Sequence, residues 1–254
     1  MEKQREHIMQ EEKKARNVAV ILAAGRGSRM HSAVQKQYLH VGGKPVLYYS
    51  LKQFENFEGV AEIILVTGKE EIEYCRETIV DAFGLKKVKQ IIPGGKERYH
   101  SVYEGLRAAG DCDYVFIHDG ARPFPDRAML ERALKAVRQY KACVVGMPVK
   151  DTIKLADEEE FAVETPDRSR LWMVQTPQVF DCSLIRDAYT VMMEKKLSGI
   201  TDDAMVLEKV TGRKVKLVEG SYRNIKITTP EDLLVAEAFL SSRADACSAT
   251  IKNI

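Results

Sequence analysis

Short apolar runs alternate with longer amphipathic stretches along most of this chain. Val18–Leu22 is short, rich in β-branched residues and soon followed by glycine, the pattern of a buried strand. Ile63–Val66, Val88–Ile92, Tyr114–Ile117 and Ala142–Met147 repeat it. Between them, apolar residues return at helical spacing. Pro45–Phe57 carries Leu47, Leu51 and Phe54 on one face, Glu70–Phe83 is ended by Gly84, Arg98–Ala109 is ended by Gly110, and Asp126–Tyr140 follows. Strands spaced by helices predict an α/β fold with a parallel sheet of right-handed βαβ units.

The rhythm breaks between Val149 and Gln175. Thr152, Ile153 and Leu155 on one side and Phe161 and Val163 on the other flank an acidic turn at Asp157–Glu160. This predicts a two-stranded arm over about residues 149–175. A lone hairpin is unstable in water, so the arm is expected to pack on something, most economically a second subunit. The alternation then returns, with helices at Leu184–Lys195 and Asp203–Val210 and strands at Val215–Val218 and Asn224–Ile227. A last helix spans Pro230–Leu240, with Thr229 as N-cap and Pro230 in its first position. One domain, residues 17–241, is expected. Residues 1–16 are charged throughout and read as a frayed helix or disordered extension; residues 242–254 read as a loose, small and polar tail.

Composition narrows the function classes. Of 254 residues, 45% are apolar and 30% charged, which suits a soluble globule with an ample core. A net charge of +2 gives no support for a nucleic-acid or membrane surface. The five cysteines are scattered, odd in number and never in C-x-x-C spacing, so neither a metal cluster nor a disulfide framework is expected and a reducing cytoplasm fits. No apolar run reaches the length of a membrane span, and the first residues lack the apolar segment of a secretory signal.

Ligands of open α/β sheets bind at the carboxyl ends of the strands. Four clusters fall there: Gly25–Arg29, Gly94-Gly95, Asp119–Arg122 and Lys226–Thr228. In the first, small residues from Ala23 onward would let backbone N–H groups approach an anion beside Arg26 and Arg29, with Lys36 seven residues on. A glycine turn with solvated arginines is the competing reading. The dinucleotide fingerprint fails because Met30 stands where its third glycine belongs, and no Walker loop is present. Together the clusters supply several cations, one carboxylate and two glycine loops, an inventory for a phosphate-rich ligand with or without a divalent metal. His31, His40 and His100 have no recognisable ligand spacing and read as surface or satisfied residues.

Eight segments in order then carry a resemblance: AAGRGSRM, KQY, GGKERYHSV, HDGARPF, PVKDTIK, DR-x-x-LW-x-x-QTPQ, TDDA and NIKITTPEDL. From about Val18 to Leu240 the chain resembles the 2-C-methyl-D-erythritol 4-phosphate cytidylyltransferases. The resemblance implies a Rossmann-like, mostly parallel sheet of nucleotidyltransferase type with a projecting β-arm. It implies a cytoplasmic homodimer of the non-mevalonate isoprenoid pathway, joined through the arm, that transfers CMP from CTP to methylerythritol phosphate and releases pyrophosphate. Mg²⁺ would be held mainly by the CTP phosphates, with no protein metal ligand assigned.

The resemblance also distributes roles. Arg29, Lys36, Arg168 and Lys226 correspond to catalytic cations. Ala23, Ala24, Gly25, Gly27, Gly94, Gly95, Ser101 and Gly120 correspond to the CTP site, where a glycine loop reads the small cytosine edge. Asp119, Arg122, Thr152, Arg168 and Lys226 correspond to the acceptor site, with Thr152 and Arg168 at the ends of an arm that crosses to the partner. Where the family often has Pro before the KQY lysine, Gln35 stands here. The sister ribitol-5-phosphate cytidylyltransferases are the nearest alternative; Arg168 with Leu171-Trp172 favours the erythritol enzymes. A nucleotide-binding regulator without catalysis is the alternative from another class.

Overall fold

The computed structural model describes residues 15–25 and 34–251, with side chains described through residue 242. Its centre is a seven-stranded sheet. Strand β1 (Asn17–Ala23) is an interior strand; β2 (His40–Val41) and β3 (Lys44–Pro45) form a small separate hairpin, and helix α1 (Val46–Asn56) follows. Next come β4 (Glu62–Thr67), α2 (Ile72–Cys75), β5 (Val88–Pro93), α3 (Arg98–Ala109), β6 (Tyr114–Asp119), α4 (Arg127–Tyr140) and β7 (Ala142–Pro148). The arm carries β8 (Leu155–Ala156) and β9 (Ala162–Glu164), and β10 (Trp172–Asp181), α5 (Cys182–Lys195), α6 (Asp203–Thr211), β11 (Lys216–Glu219) and α7 (Pro230–Ile251) complete the chain. The sheet order is β11-β7-β10-β6-β1-β4-β5. All pairings are parallel except those of β10, which runs antiparallel to both β6 and β7.

The continuous apolar runs follow from burial on both faces. Ala19 and Ile21 of β1 point into one core with Leu47, Leu51 and Phe54, whereas Val18 and Val20 point into the other with Val102, Leu106 and Tyr189. Helices cover both sides, so no face of the central strands is left for water. Because β1, β4, β5 and β6 are parallel, their carboxyl ends (Ala23, Thr67, Pro93 and Asp119) open on one edge of the sheet.

Several expectations need correction. Trp172–Asp181, which begins inside the expected arm and is otherwise only a quoted motif, is a ten-residue strand of the central sheet. Its polar run Gln175, Thr176 and Gln178 hides the strand pattern, yet all three are buried and bonded. Asn224–Ile227 is not a strand but an irregular stretch, held by Asn224 donating to the Thr176 carbonyl (2.8 Å) and by the Ile227 N–H donating to the Ala121 carbonyl (2.8 Å). The single helix expected over Glu70–Phe83 is a 3-10 turn (Lys69–Glu71), the short α2 and a π-helical segment (Arg76–Asp81). The wider turn brings Cys75 and Val80, five residues apart, into the same core. The last helix runs past Leu240 to Ile251, since its small residues include no Gly or Pro to stop it. Residues 1–14 lie outside the described residues.

The cysteine expectation also needs correction. Cys112 and Cys182 form a disulfide that ties the loop before β6 to the first residue of α5, across a sequence separation of 70. It is one staple rather than a framework. Pairing over that distance depends on β6 and β10 being neighbours, which spacing alone cannot reveal. Cys75 and Cys143 are free and buried.

Candidate active site

The strand ends open into a cleft of about 890 Å³. Ala23, Ala24 and Gly25 from the end of β1, Lys36, the Gly94-Gly95 loop, Ser101, Asp119 and Lys226 all line it. Residues scattered over two hundred positions thus meet, as the strand-end rule predicts. Gly27, Arg29 and His31 lie outside the described residues.

Lys36 is placed by its neighbours. Buried Gln37 donates its amide to the carbonyls of Ala23 (2.5 Å) and Gly25 (3.1 Å) and to Gln35 Oε1 (2.6 Å). Tyr38 is hydrogen-bonded to Thr67 Oγ1 at the end of β4 (2.6 Å) and to Cys75 Sγ (3.3 Å). The KQY turn is therefore riveted to two strand ends, with Lys36 at the cleft wall. Gln35 has φ −64° and ψ 139°, the backbone a proline would impose, and its side chain donates to Glu71. A polar tether here does what a ring does elsewhere.

On the opposite wall, the glycine loop is held by Gly94 N–H donating to the Thr67 carbonyl (2.7 Å) and Gly95 N–H donating to Ser101 Oγ (3.1 Å). A Cβ at Gly94 would sit 2.5 Å from Ala24 Cβ and 2.7 Å from Ser101 Oγ; one at Gly95 would sit 2.3 Å from His100 Cβ. Both positions require glycine for close approach rather than for backbone freedom. Glu97 caps α3, and His100 Nδ1 accepts from the Glu97 N–H (3.2 Å), so His100 is a capping residue. His40 is exposed.

Asp119 ends β6 with both oxygens engaged. Oδ1 accepts from Arg98 Nε (3.1 Å) and Oδ2 pairs with Lys226 Nζ (2.7 Å). Burial would raise its pKa, but the charges of Arg98, Lys226 and Arg122 outweigh that and hold the carboxyl well below the usual carboxylate range. Arg98 in turn forks onto both oxygens of Asp203 (2.8 and 2.9 Å), and Asp203 Oδ1 accepts from the Tyr189 hydroxyl (2.6 Å). Behind Asp119, His118 is fully buried and neutral. Its Nε2 donates to the Arg122 carbonyl and its Nδ1 accepts from the Thr176 hydroxyl, each at 3.0 Å, and burial pushes its pKa down to about 4.

Four expected residues lie off the cleft wall. Gly120 packs beneath it, where a Cβ would meet Leu47 and the Leu22 carbonyl at 2.8 and 3.0 Å. Arg122 donates to the Asn224 carbonyl (2.8 Å), and its buried Nε has no hydrogen-bond partner among the described residues. Thr152 and Arg168 stand exposed on the arm, with Arg168 donating to the Lys150 carbonyl (3.0 Å). Sequence reasoning gave no role to Gln37, Arg98, Tyr189 or Asp203. Three of them sit inside or beside quoted motifs, but only the fold shows what they touch.

No group of three or more His, Cys, Asp or Glu side chains among the described residues forms a metal cage. The cleft carboxylates are Glu97, which caps α3, and Asp119, which is paired with cations. This donor set fits an ion that rides on ligand phosphates rather than one caged by protein. No helix among the described residues is long and apolar enough to cross a membrane.

Comparison with known proteins agrees with this geometry. Residues 17–242 match the family described as IspD, 2-C-methyl-D-erythritol 4-phosphate cytidylyltransferase. The chain is 53% identical over 223 residues to the 2-C-methyl-D-erythritol 4-phosphate cytidylyltransferase of Caldanaerobacter subterraneus subsp. tengcongensis, covering 87% of this chain and 97% of that one. It is 52% identical over 225 residues to that of Lachnospira eligens, covering 88% and 99%. The crystal structure of 4-diphosphocytidyl-2C-methyl-D-erythritol synthase from Anaerococcus prevotii superposes with a TM-score of 0.78 at 34% identity, covering 90% of this chain and 97% of that one. With a family match over almost the whole described domain, the chain belongs to the 2-C-methyl-D-erythritol 4-phosphate cytidylyltransferase family.

Proposed function

We propose that this protein transfers CMP from CTP to 2-C-methyl-D-erythritol 4-phosphate, giving 4-diphosphocytidyl-2-C-methyl-D-erythritol and pyrophosphate, in the non-mevalonate route to isoprenoid precursors. The observation that carries the reading is the convergence of Ala23–Gly25, Lys36, Gly94-Gly95, Ser101, Asp119 and Lys226 on one cleft.

An acceptor phosphate oxygen attacks the α-phosphorus in line, and the bond to the pyrophosphate oxygen breaks. Charge builds on the equatorial and leaving oxygens, where fixed cations lower the barrier most. Lys36, with Arg29, serves the triphosphate. The Gly94-Gly95 loop and Ser101 read the cytosine edge; a purine is excluded by size and by the polar groups it would leave unpaired. Lys226 fixes the acceptor phosphate, together with Thr152 and Arg168 from the partner's arm, while Asp119 holds the Lys226 ammonium and Arg122 adds positive charge beside Asp119; holding this weak nucleophile in line raises its effective concentration. The CTP phosphates, with help from Asp119, would hold Mg²⁺, which would supply neutralisation of the triphosphate charge.

The arm supports a homodimer. Leu155 and Val163 are 53% and 58% exposed on strands of two and three residues, and Phe161 just before the second is 67% exposed; the hairpin is too short and too apolar to stand in water alone. A cytoplasmic setting is proposed from the soluble α/β design. The Cys112–Cys182 bridge points the other way, and thiol alkylation of protein quenched directly from cells decides between them.

The test is pyrophosphate release from CTP and Mg²⁺ with each acceptor supplied separately. Release with methylerythritol phosphate alone is expected. Release with ribitol phosphate alone overturns the acceptor assignment but keeps the nucleotide site, and CTP binding without release on either overturns catalysis.

A further inference from the structure

Behind the cleft lies a buried chain of polar groups that the proposed mechanism does not use. Tyr189, on α5, is fully buried and donates its hydroxyl to Asp203 Oδ1 (2.6 Å). Asp203, the first residue of α6, is also fully buried, with both oxygens taken by the Arg98 guanidinium. Arg98, the first residue of α3, uses its remaining Nε on Asp119 (3.1 Å), and Asp119 holds Lys226 (2.7 Å). The start of α6 is pinned independently. Gln178 of β10 accepts from the Ala204 N–H (2.8 Å) and donates to Asp202 Oδ2 (3.0 Å), while Asp202 caps the helix.

Isolated buried charges are costly, and a buried carboxylate is kept where a partner repays its desolvation. Core packing alone would be served by apolar side chains at 189 and 203. A guanidinium fork fixes direction as well as charge, because its planar donors match a carboxylate in one orientation. Asp203 thus sets the rotamer of Arg98, and that rotamer aims Nε at Asp119.

We propose that Tyr189, Asp203 and Arg98 are positioning residues which set Asp119 and, through it, hold the Lys226 ammonium where the acceptor phosphate docks. This rests on the proposed role of Lys226 as an acceptor cation. Tyr189 and Asp203 touch no substrate. They act from the helical layer behind the sheet, through Arg98.

The experiment uses Asp203→Asn and Tyr189→Phe in the full-length protein, with two independent readouts. In the first, lysines are ¹³C-dimethylated and the Lys226 signal, identified by its loss in Lys226→Arg, is followed without any ligand. In wild type it stands apart from the exposed lysines; in Asp203→Asn it moves toward them, and in Tyr189→Phe it moves part of the way. In the second, kcat falls by about 100-fold in Asp203→Asn and about tenfold in Tyr189→Phe, the scale expected for misplacing a reacting group by roughly an ångström, while the Kd of CTP changes by less than about threefold. Tyr189→Phe keeps the ring in the core, so it answers even if Asp203→Asn folds poorly. An unmoved Lys226 signal in a folded variant overturns the proposal, as does a kcat loss no larger than the loss of folded protein. If wild type releases no pyrophosphate but the Lys226 signal moves, the enzymatic reading fails and the positioning chain stands.

Discussion

Lys226 Nζ lies 2.7 Å from Asp119 Oδ2, so the cation of an irregular C-terminal stretch is held by the carboxylate that ends a central strand. Neither residue carries this alone. Asp119 is kept ionised by three nearby cations, and Lys226 is kept at the cleft wall by that charge.

His118 and Asp119 predict a two-stage acid response. His118 titrates at about 4 when folded, against 6.5 as its ordinary value, so between those values the unfolded chain binds the extra proton. Its contribution is present above about pH 6.5 and is lost on acidification toward 4, about 3 kcal/mol in all. Asp119, with its pKa depressed on folding, contributes stability above about pH 4 that is lost only below it. Urea unfolding from pH 7.5 to 4 should show the first slope in wild type and not in His118→Gln.

Gln37→Ala removes the amide that ties Lys36 to the end of β1. Two carbonyls lose a buried donor, so stability should fall by about 2 kcal/mol. Turnover should fall by at least about tenfold in protein that is still folded, because the lysine is no longer held. Steady-state rates beside a urea titration test this, and an unchanged rate would refute the riveted turn.

Gly94→Ala puts a methyl where Ala24 Cβ and Ser101 Oγ already stand. The loop must move out, at a cost of about 1–3 kcal/mol of overpacking. CTP affinity measured by calorimetry should drop by about tenfold or more. Affinity equal to wild type would remove the loop from the nucleotide site.

Reducing the Cys112–Cys182 bridge, or replacing Cys112 with Ala, frees a loop closed over a sequence separation of 70. Chain-entropy reasoning gives a loss of about 4 kcal/mol. Thermal melts with and without reductant measure it. Because the bridge lies at the amino end of β6, away from the cleft, the CTP affinity of folded protein should stay the same.

Mixing Arg168→Ala with Lys226→Ala tests the shared site. If the arm of one subunit completes the cleft of the other, mixed dimers contain one intact site and recover activity that neither parent has. No recovery after proven subunit exchange would confine each site to a single chain.

Much was legible in the residues alone. Ile63–Val66 and Tyr114–Ile117 announce buried strands because burial on both faces leaves no polar position to blur the run. The end of α3 was readable because Gly110 acts locally. The opening glycine loop and the KQY lysine suggest a phosphate ligand because those residue types suit that chemistry, with a plain glycine turn as the competing reading.

What only the tertiary structure decided depends on contacts between residues far apart in the chain. Trp172–Asp181 reads as polar, yet becomes the antiparallel strand between β6 and β7 because His118, Ser221 and Asp202 satisfy its Thr and Gln side chains. Asn224–Ile227 has a strand's composition but no strand partner, and bonds to Thr176 and Ala121 instead. Arg98, Asp203 and Tyr189 fall in three different helices, and their pairing exists only once β6 and β10 bring α3, α5 and α6 together. Local sequence determines which elements form and what chemistry they carry. Which polar groups meet inside is decided by the packing, because a buried charge is stable only where a partner from elsewhere in the chain reaches it.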